Sequence, residues 1–161
     1  MNPLYTLGHA TLSIAQFLAL LQQWQIPTVV DVRSHPYSRY TPHFTSKTLK
    51  SLLFHHQLTY HYLGQSLGGK LENTSYPYRM REPVFQQGIT QLIGHIHQTP
   101  VVILCAEWDP IRCHRMLLIS RYLSQTEPAL PIFHILSMTH AESHQQAEQR
   151  LLVTPSQMAL F

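Results

Sequence analysis

Charge is scarce in this chain. Asp, Glu, Lys and Arg make up 12% of its 161 residues, about half the share of an ordinary domain. Neutral polar groups must therefore cover much of the surface, and twelve histidines are available for it. Cysteine is scarcer still. Cys105 and Cys113 are the only two, too few for a disulfide scaffold. No apolar run reaches the length of a membrane span, so no membrane partner is expected. The opening MNPLYTLGHA lacks a basic start followed by an apolar core. No export signal is expected, and a cytoplasmic protein with reduced thiols is the default. Neither Cys-x-x-Cys nor His-Glu-x-x-His occurs. The net charge of +3 and pI of about 9.0 favour anionic partners but are too weak to announce nucleic acid.

What is present is a regular alternation. The hydrophobic fraction of 44% suits one domain with a sizeable core. Short apolar or β-prone runs at 4–7, 28–32, 59–63, 100–105 and 131–137 read as strands. Helical patterns lie between them. Ser13 is an N-cap with Gln16 in the capping-box position, and Phe17, Leu18 and Leu21 follow at helical spacing. Leu49, Leu52 and Leu53 mark a second helix. Phe85, Ile89, Leu92 and Ile96 mark a third, and AESHQQAEQRLL reads as the last. The expected fold is α/β: a single-domain three-layer sandwich, its mostly parallel five-stranded sheet carrying helices on both faces.

In such a sheet, ligands bind beyond the carboxyl ends of the strands. His9 follows the first strand; Asp31, Arg33 and Ser34 follow the second. The Gly68-Gly69 loop follows the third, and Cys105 and Glu107 follow the fourth. Parallel strands bring all of these to one edge. Charges just past apolar strands need a partner, and from Arg33 to Arg115 nine Lys/Arg stand against four Asp/Glu. Arginine, the better fork for phosphate or carboxylate, outnumbers lysine eight to three.

The densest stretch is VVILCAEWDPIRCHR, 101–115. Asp109 and Pro110 suit the cap and first position of a helix. Its N-terminus would be an anion site, with Arg112, Cys113, His114 and Arg115 in the first turn and a half. Arg33 and Arg115 are expected to hold an anion together. Cys113, near a helix N-terminus and beside arginine, is expected to be acidic for a thiol. Cys105, Cys113 and His114 are plausible soft metal ligands, but on one helix the adjacent Cys113 and His114 would point to different faces, so no metal is expected; no cofactor is expected either.

The segments YTLGHATLSIAQFLALLQQWQI, VVDVRSHPYSR, YHYLGQSLGG and VVILCAEWDPIRCHR resemble those of the bacterial and archaeal "domain of unknown function 488" family, nearly end to end. The resemblance implies a compact α/β fold. It also implies a binding or active site in His9, Asp31, Arg33, Ser34, Arg39, Gly68, Gly69, Cys105, Glu107, Cys113, His114 and Arg115. It supplies no reaction. The residues favour an enzyme or ligand-binding protein for an anionic small molecule or nucleotide. Asp31, Glu107 or His9 would serve as acid or base, and Cys105 or Cys113 as nucleophile. A nucleic-acid module is the alternative, with arginines interleaved among Tyr37, Tyr40, Phe44, Tyr76 and Tyr78. Rhodanese-like or phosphatase-like cysteine chemistry is another. Against it, no glycine-rich cradle follows Cys105, and the next arginine comes seven residues on. A monomer or homodimer is expected.

Overall fold

The computed structural model describes residues 1–70 and 74–154. One sheet runs through it, formed by β1 (Leu4–Gly8), β2 (Thr28–Asp31), β3 (Thr59–Tyr62), β4 (Val101–Cys105), β5 (Ile132–Ile135) and β6 (Ala141–Ser143). The spatial order is β3-β2-β4-β1-β5-β6. β1 to β5 pair parallel, and β6 pairs antiparallel with β5. The five expected strands are present with ends shifted by one or two residues. The sheet has six strands, not five, and is mixed. The sixth lies in Ala141-Glu142-Ser143, which the sequence pattern assigned to a helix. Three residues of mixed polarity carry no period-two signal. Helix α7 (His144–Leu152) starts after them, where Ser143 and Gln146 form a reciprocal capping box.

Alternation along the strands builds two cores. Val101 and Ile103 join Leu4, Val30 and Val32 beneath α5 (Pro83–Gln98). Val102 and Leu104 join Leu7 and Val29 beneath α1 (Ile14–Gln23) and α2 (Ser46–His55). Helices thus cover both faces of the sheet. α1 starts as its sequence predicts: Ser13 Oγ accepts from Gln16 N at 3.1 Å, and Gln16 Oε1 accepts from Ser13 N at 2.9 Å. Burying each large aliphatic side chain contributes about 1.5–3 kcal/mol, which is what holds the strand ends in register at the edge. No helix among the described residues is long and apolar enough to cross a membrane.

The segment after β4 departs from expectation. Asp109 caps only a three-residue 3₁₀ turn, Pro110–Arg112, accepting from Ile111 N at 3.3 Å. The backbone is then extended at Cys113 (φ −129°, ψ 143°). Helix resumes at His114 and is π-helical over Arg115–Ser120 before α6 (Arg121–Thr126). Within the π-helical part, Ser120 Oγ donates to Arg115 O at 2.7 Å. The cause of the break is tertiary. The Arg115 guanidinium donates to Glu107 O, to Trp108 O at 2.6 Å and to Thr6 Oγ1 at 3.1 Å. These bonds clamp loop 106–109 against the helix it precedes, and the extended residue takes up the turn between them.

Candidate functional site

The parallel register brings the ends of β1, β2 and β4 together. Gly8 pairs with Cys105 and Asp31 with Leu104, and His9 N donates to Cys105 O at 2.8 Å. Gly8 is required here. A Cβ at that position would fall 1.7 Å from Glu107 O, so only glycine lets the 106–108 loop cross the end of β1.

One group of edge residues is saturated with partners. Buried Asp31 accepts from Arg33 Nε at 2.8 Å, Arg33 Nη2 at 2.7 Å, Arg33 N at 3.2 Å and Tyr60 Oη at 2.7 Å. Arg33 also donates to Phe44 O at 2.6 Å. Its Nη1 lies 3.3 Å from His9 Nε2. His9 Nδ1 faces Ala10 O at 3.0 Å. A carbonyl only accepts, so Nδ1 carries the hydrogen and Nε2 accepts from Arg33. The ring stacks on Phe44 with centroids 4.3 Å apart. Burial lowers the His9 pKa to about 4, so the ring is neutral at pH 7. The same environment raises the Tyr60 pKa, through burial first and then Asp31. Asp31 and His9, expected as acid or base, have no atom left for a substrate proton.

Arg115 belongs to a second saturated group. It is fully buried, with its donors on loop carbonyls and Thr6. The chain of bonds continues inward. Thr6 Oγ1 accepts from Arg115 and is also hydrogen-bonded to His134 Nδ1 at 2.7 Å. His134 Nε2 lies 3.3 Å from His144 Nδ1, and His144 Nε2 lies 3.4 Å from Glu148 Oε1. Burial, then Arg115, holds His134 well below the ordinary histidine value. Both arginines, expected to hold an anion jointly, thus donate to internal acceptors, and Arg33 also borders the cavity described below. Each arginine answers a buried internal acceptor, and sequence alone does not separate that case from a ligand.

The third group is not saturated. Extended Cys113 turns its side chain toward the end of β4, and His114 does the same from the start of the helix. Both meet Cys105. Cys105 Sγ lies 3.6 Å from His114 Nδ1, and Cys113 Sγ lies 3.7 Å from it. The expectation that Cys113 and His114 diverge fails because Cys113 is not helical. His114 Nε2 donates to Val32 O at 3.0 Å, which leaves Nδ1 with a lone pair aimed at two sulfurs. Cys113 is held well below the ordinary thiol value, first by the Cys105 thiol donating to it and further by His114 and Arg115, against the cost of burial. Cys105 is pushed up by the same pairing and by burial. Their ligand atoms lie within 4.8 Å of one another, the one such cluster of three His, Cys, Asp or Glu among the described residues.

This cluster opens on a cavity of about 350 Å³. Of the expected site residues, Arg33, Ser34, Gly69, Cys105, Glu107, Cys113 and His114 line it. Gly68 packs behind, where a Cβ would fall 2.4 Å from Ser34 Oγ. Gly69 seats the imidazole: a Cβ there would fall 2.4 Å from His114 Cγ and 2.6 Å from Nδ1. Arg39 is exposed on the 34–41 loop and does not line the cavity. Sequence reasoning missed His35 and Lys70, which also line it, as do Arg112 and Tyr76, the latter expected only as a stacking aromatic. Lys70 directly follows the Gly68-Gly69 pair, and its N donates to Ser34 Oγ at 3.0 Å; that adjacency was the available signal. Among the aromatics, Phe44 is buried against His9, while Tyr37 and Tyr40 are exposed.

The fold and this edge define an α/β protein with a two-thiol, one-imidazole cluster at the floor of a cavity beyond the carboxyl ends of its strands. The family described as Domain of unknown function DUF488 matches residues 13–122, and the chain belongs to it. That span contains the cluster and the cavity but stops before β5. Comparison with curated proteins and with solved structures gives no match.

Proposed function

We propose that the chain is an enzyme acting on a small anionic molecule in the cavity at the carboxyl edge. The observation that carries this reading is convergence. The two thiols and an imidazole with a free lone pair share one cavity with Lys70, His35 and Arg112. A volume of about 350 Å³ lies at the small end for ligand sites. A phosphorylated or carboxylated metabolite fits, and a folded nucleic acid does not. Lys70 and Arg112 supply positive potential at the rim. Glu107, exposed at the same rim, is the carboxylate placed to exchange a proton with a bound group. Arg33 and Arg115 act as positioning residues for the loops that shape the floor.

Thermal melts with added phosphate test this. At a hundredfold excess over Kd, a specific anion is expected to raise Tm by about 5–10 °C. Lys70→Ala together with Arg112→Ala should remove that rise. An unliganded protein that no phosphate or carboxylate stabilises would overturn the reading.

A further inference from the structure

We propose that Cys105, Cys113 and His114 bind one soft divalent cation of the zinc class, through both sulfurs and Nδ1, with the fourth position opening into the cavity. The fourth position rests on the reading of the cavity given above; the three-ligand site does not.

The first support is metric. Zinc–sulfur bonds of about 2.3 Å and zinc–nitrogen bonds of about 2.0–2.1 Å, set at a tetrahedral angle, put S and N about 3.6 Å apart. The two sulfur–Nδ1 separations are 3.6 and 3.7 Å. The second is hydrogen-bond accounting. Nδ1 has a single lone pair and faces both sulfurs, so it accepts from one thiol at most, and the Cys105 thiol is left donating to a neighbouring sulfur, a weak acceptor. A cation satisfies all three donors at once. The third is the outer support that metal-bound histidines require. Val32 O takes the Nε2 hydrogen at 3.0 Å and so fixes the tautomer with Nδ1 free. Val32 is itself held between Asp31 and Arg33, whose ion pair at 2.7 Å is buried on both sides. Gly69 leaves the imidazole its seat.

Ligand chemistry sets the cation. Two thiolates and an imidazole select zinc over magnesium or calcium, which take oxygen. Binding displaces the thiol protons to solvent, and two thiolates cancel the charge of a divalent ion. Three protein ligands and one open position are the pattern of a reactive rather than a purely structural zinc site. The open position is then where an anionic group, or a water beside one, would meet the cation.

The test uses the full chain, stripped with a chelator under reducing conditions and titrated with cobalt as a visible probe, then with zinc in competition. A single equivalent should give a thiolate-to-cobalt charge-transfer band and the intense visible bands of four-coordinate cobalt, both lost to zinc. Cys105→Ser, Cys113→Ser and His114→Asn should each weaken binding at least about 100-fold. Because a variant may misfold, zinc protection of both cysteines from iodoacetamide is measured on wild type as well. No charge-transfer band, or cysteines that alkylate equally fast with and without zinc, overturns the proposal. Metal binding without any anion-dependent stabilisation would leave the cation site standing and remove the function proposed above. Anion stabilisation without metal binding would do the reverse.

Discussion

Two polar clusters stand side by side at the carboxyl edge and are built in opposite ways. In the Asp31–Arg33–His9 cluster, both carboxylate oxygens and both nitrogens of the imidazole have partners at 3.3 Å or less. In the Cys105–Cys113–His114 cluster, two sulfurs share one nitrogen at 3.6 and 3.7 Å. The first is closed to a further donor: every acceptor in it is filled, and adding one would mean breaking a buried bond. The second has unused valence and faces a cavity. A charged group at an apolar strand end is thus not by itself the mark of a site. The mark is a buried polar group whose bonding capacity is unfilled.

The comparison is sharpest in stability. Asp31→Ala leaves Arg33 buried without its counter-charge, and a loss of about 3–5 kcal/mol is expected in urea unfolding. Cys105→Ser, in the open cluster, should cost less than about 1.5 kcal/mol. If the cysteine change were the costlier, the assignment of closed and open clusters would be reversed.

Acid should act on the closed clusters next. Above pH 6.5 the His9 ring is neutral in both folded and unfolded chains. Its pKa is about 4 when folded and 6.5 when not, so between those values only the unfolded chain takes the proton. Stability should fall as pH drops from 6.5 to 4, by up to roughly 3 kcal/mol for this residue. His134, lowered by burial and Arg115, adds to the fall. Unfolding free energies at pH 7 and 4.5 measure it. A level profile would mean the rings reach solvent.

Gly69→Ala probes the seam between the clusters. Its Cβ falls 2.4 Å from His114 Cγ, so the ring must shift, at about 1–3 kcal/mol. The bond to Val32 should weaken, and with it any cation affinity of the open cluster. Unchanged stability and unchanged cobalt spectra would show that the ring has room. The smallest effects belong to the surface. Lys70→Ala and Arg39→Ala should each change stability by less than about 0.5 kcal/mol. Of the two, only Lys70→Ala should reduce stabilisation by phosphate.

Several features were legible because they are local. The runs TVVD and VVILC are buried along their whole length, and such continuity announces parallel strands. Ser13 and Gln16 announced the start of α1 in the same way. β6 was not legible, since a three-residue edge strand has too few side chains to show a period. The helix drawn from Pro110 failed for another reason. Asp109-Pro110 is a good start signal, and it does start a turn, but the turn stops after three residues.

By itself, the sequence determined the α/β alternation, the carboxyl edge and the gathering of Cys105, Cys113, His114 and the Gly68-Gly69 loop there. These follow from short-range patterns and from the geometry of parallel strands. Tertiary structure alone decided what each polar group does. Arg33 and Arg115 read identically in sequence whether they meet a ligand or a buried internal acceptor. Partners elsewhere in the chain, Phe44 for one and Thr6 for the other, hold each of them in place. The extended backbone at Cys113 brought its sulfur to the Nδ1 of its neighbour His114, beside Cys105, because the clamp of Arg115 on residues 107 and 108 outweighs local helix propensity.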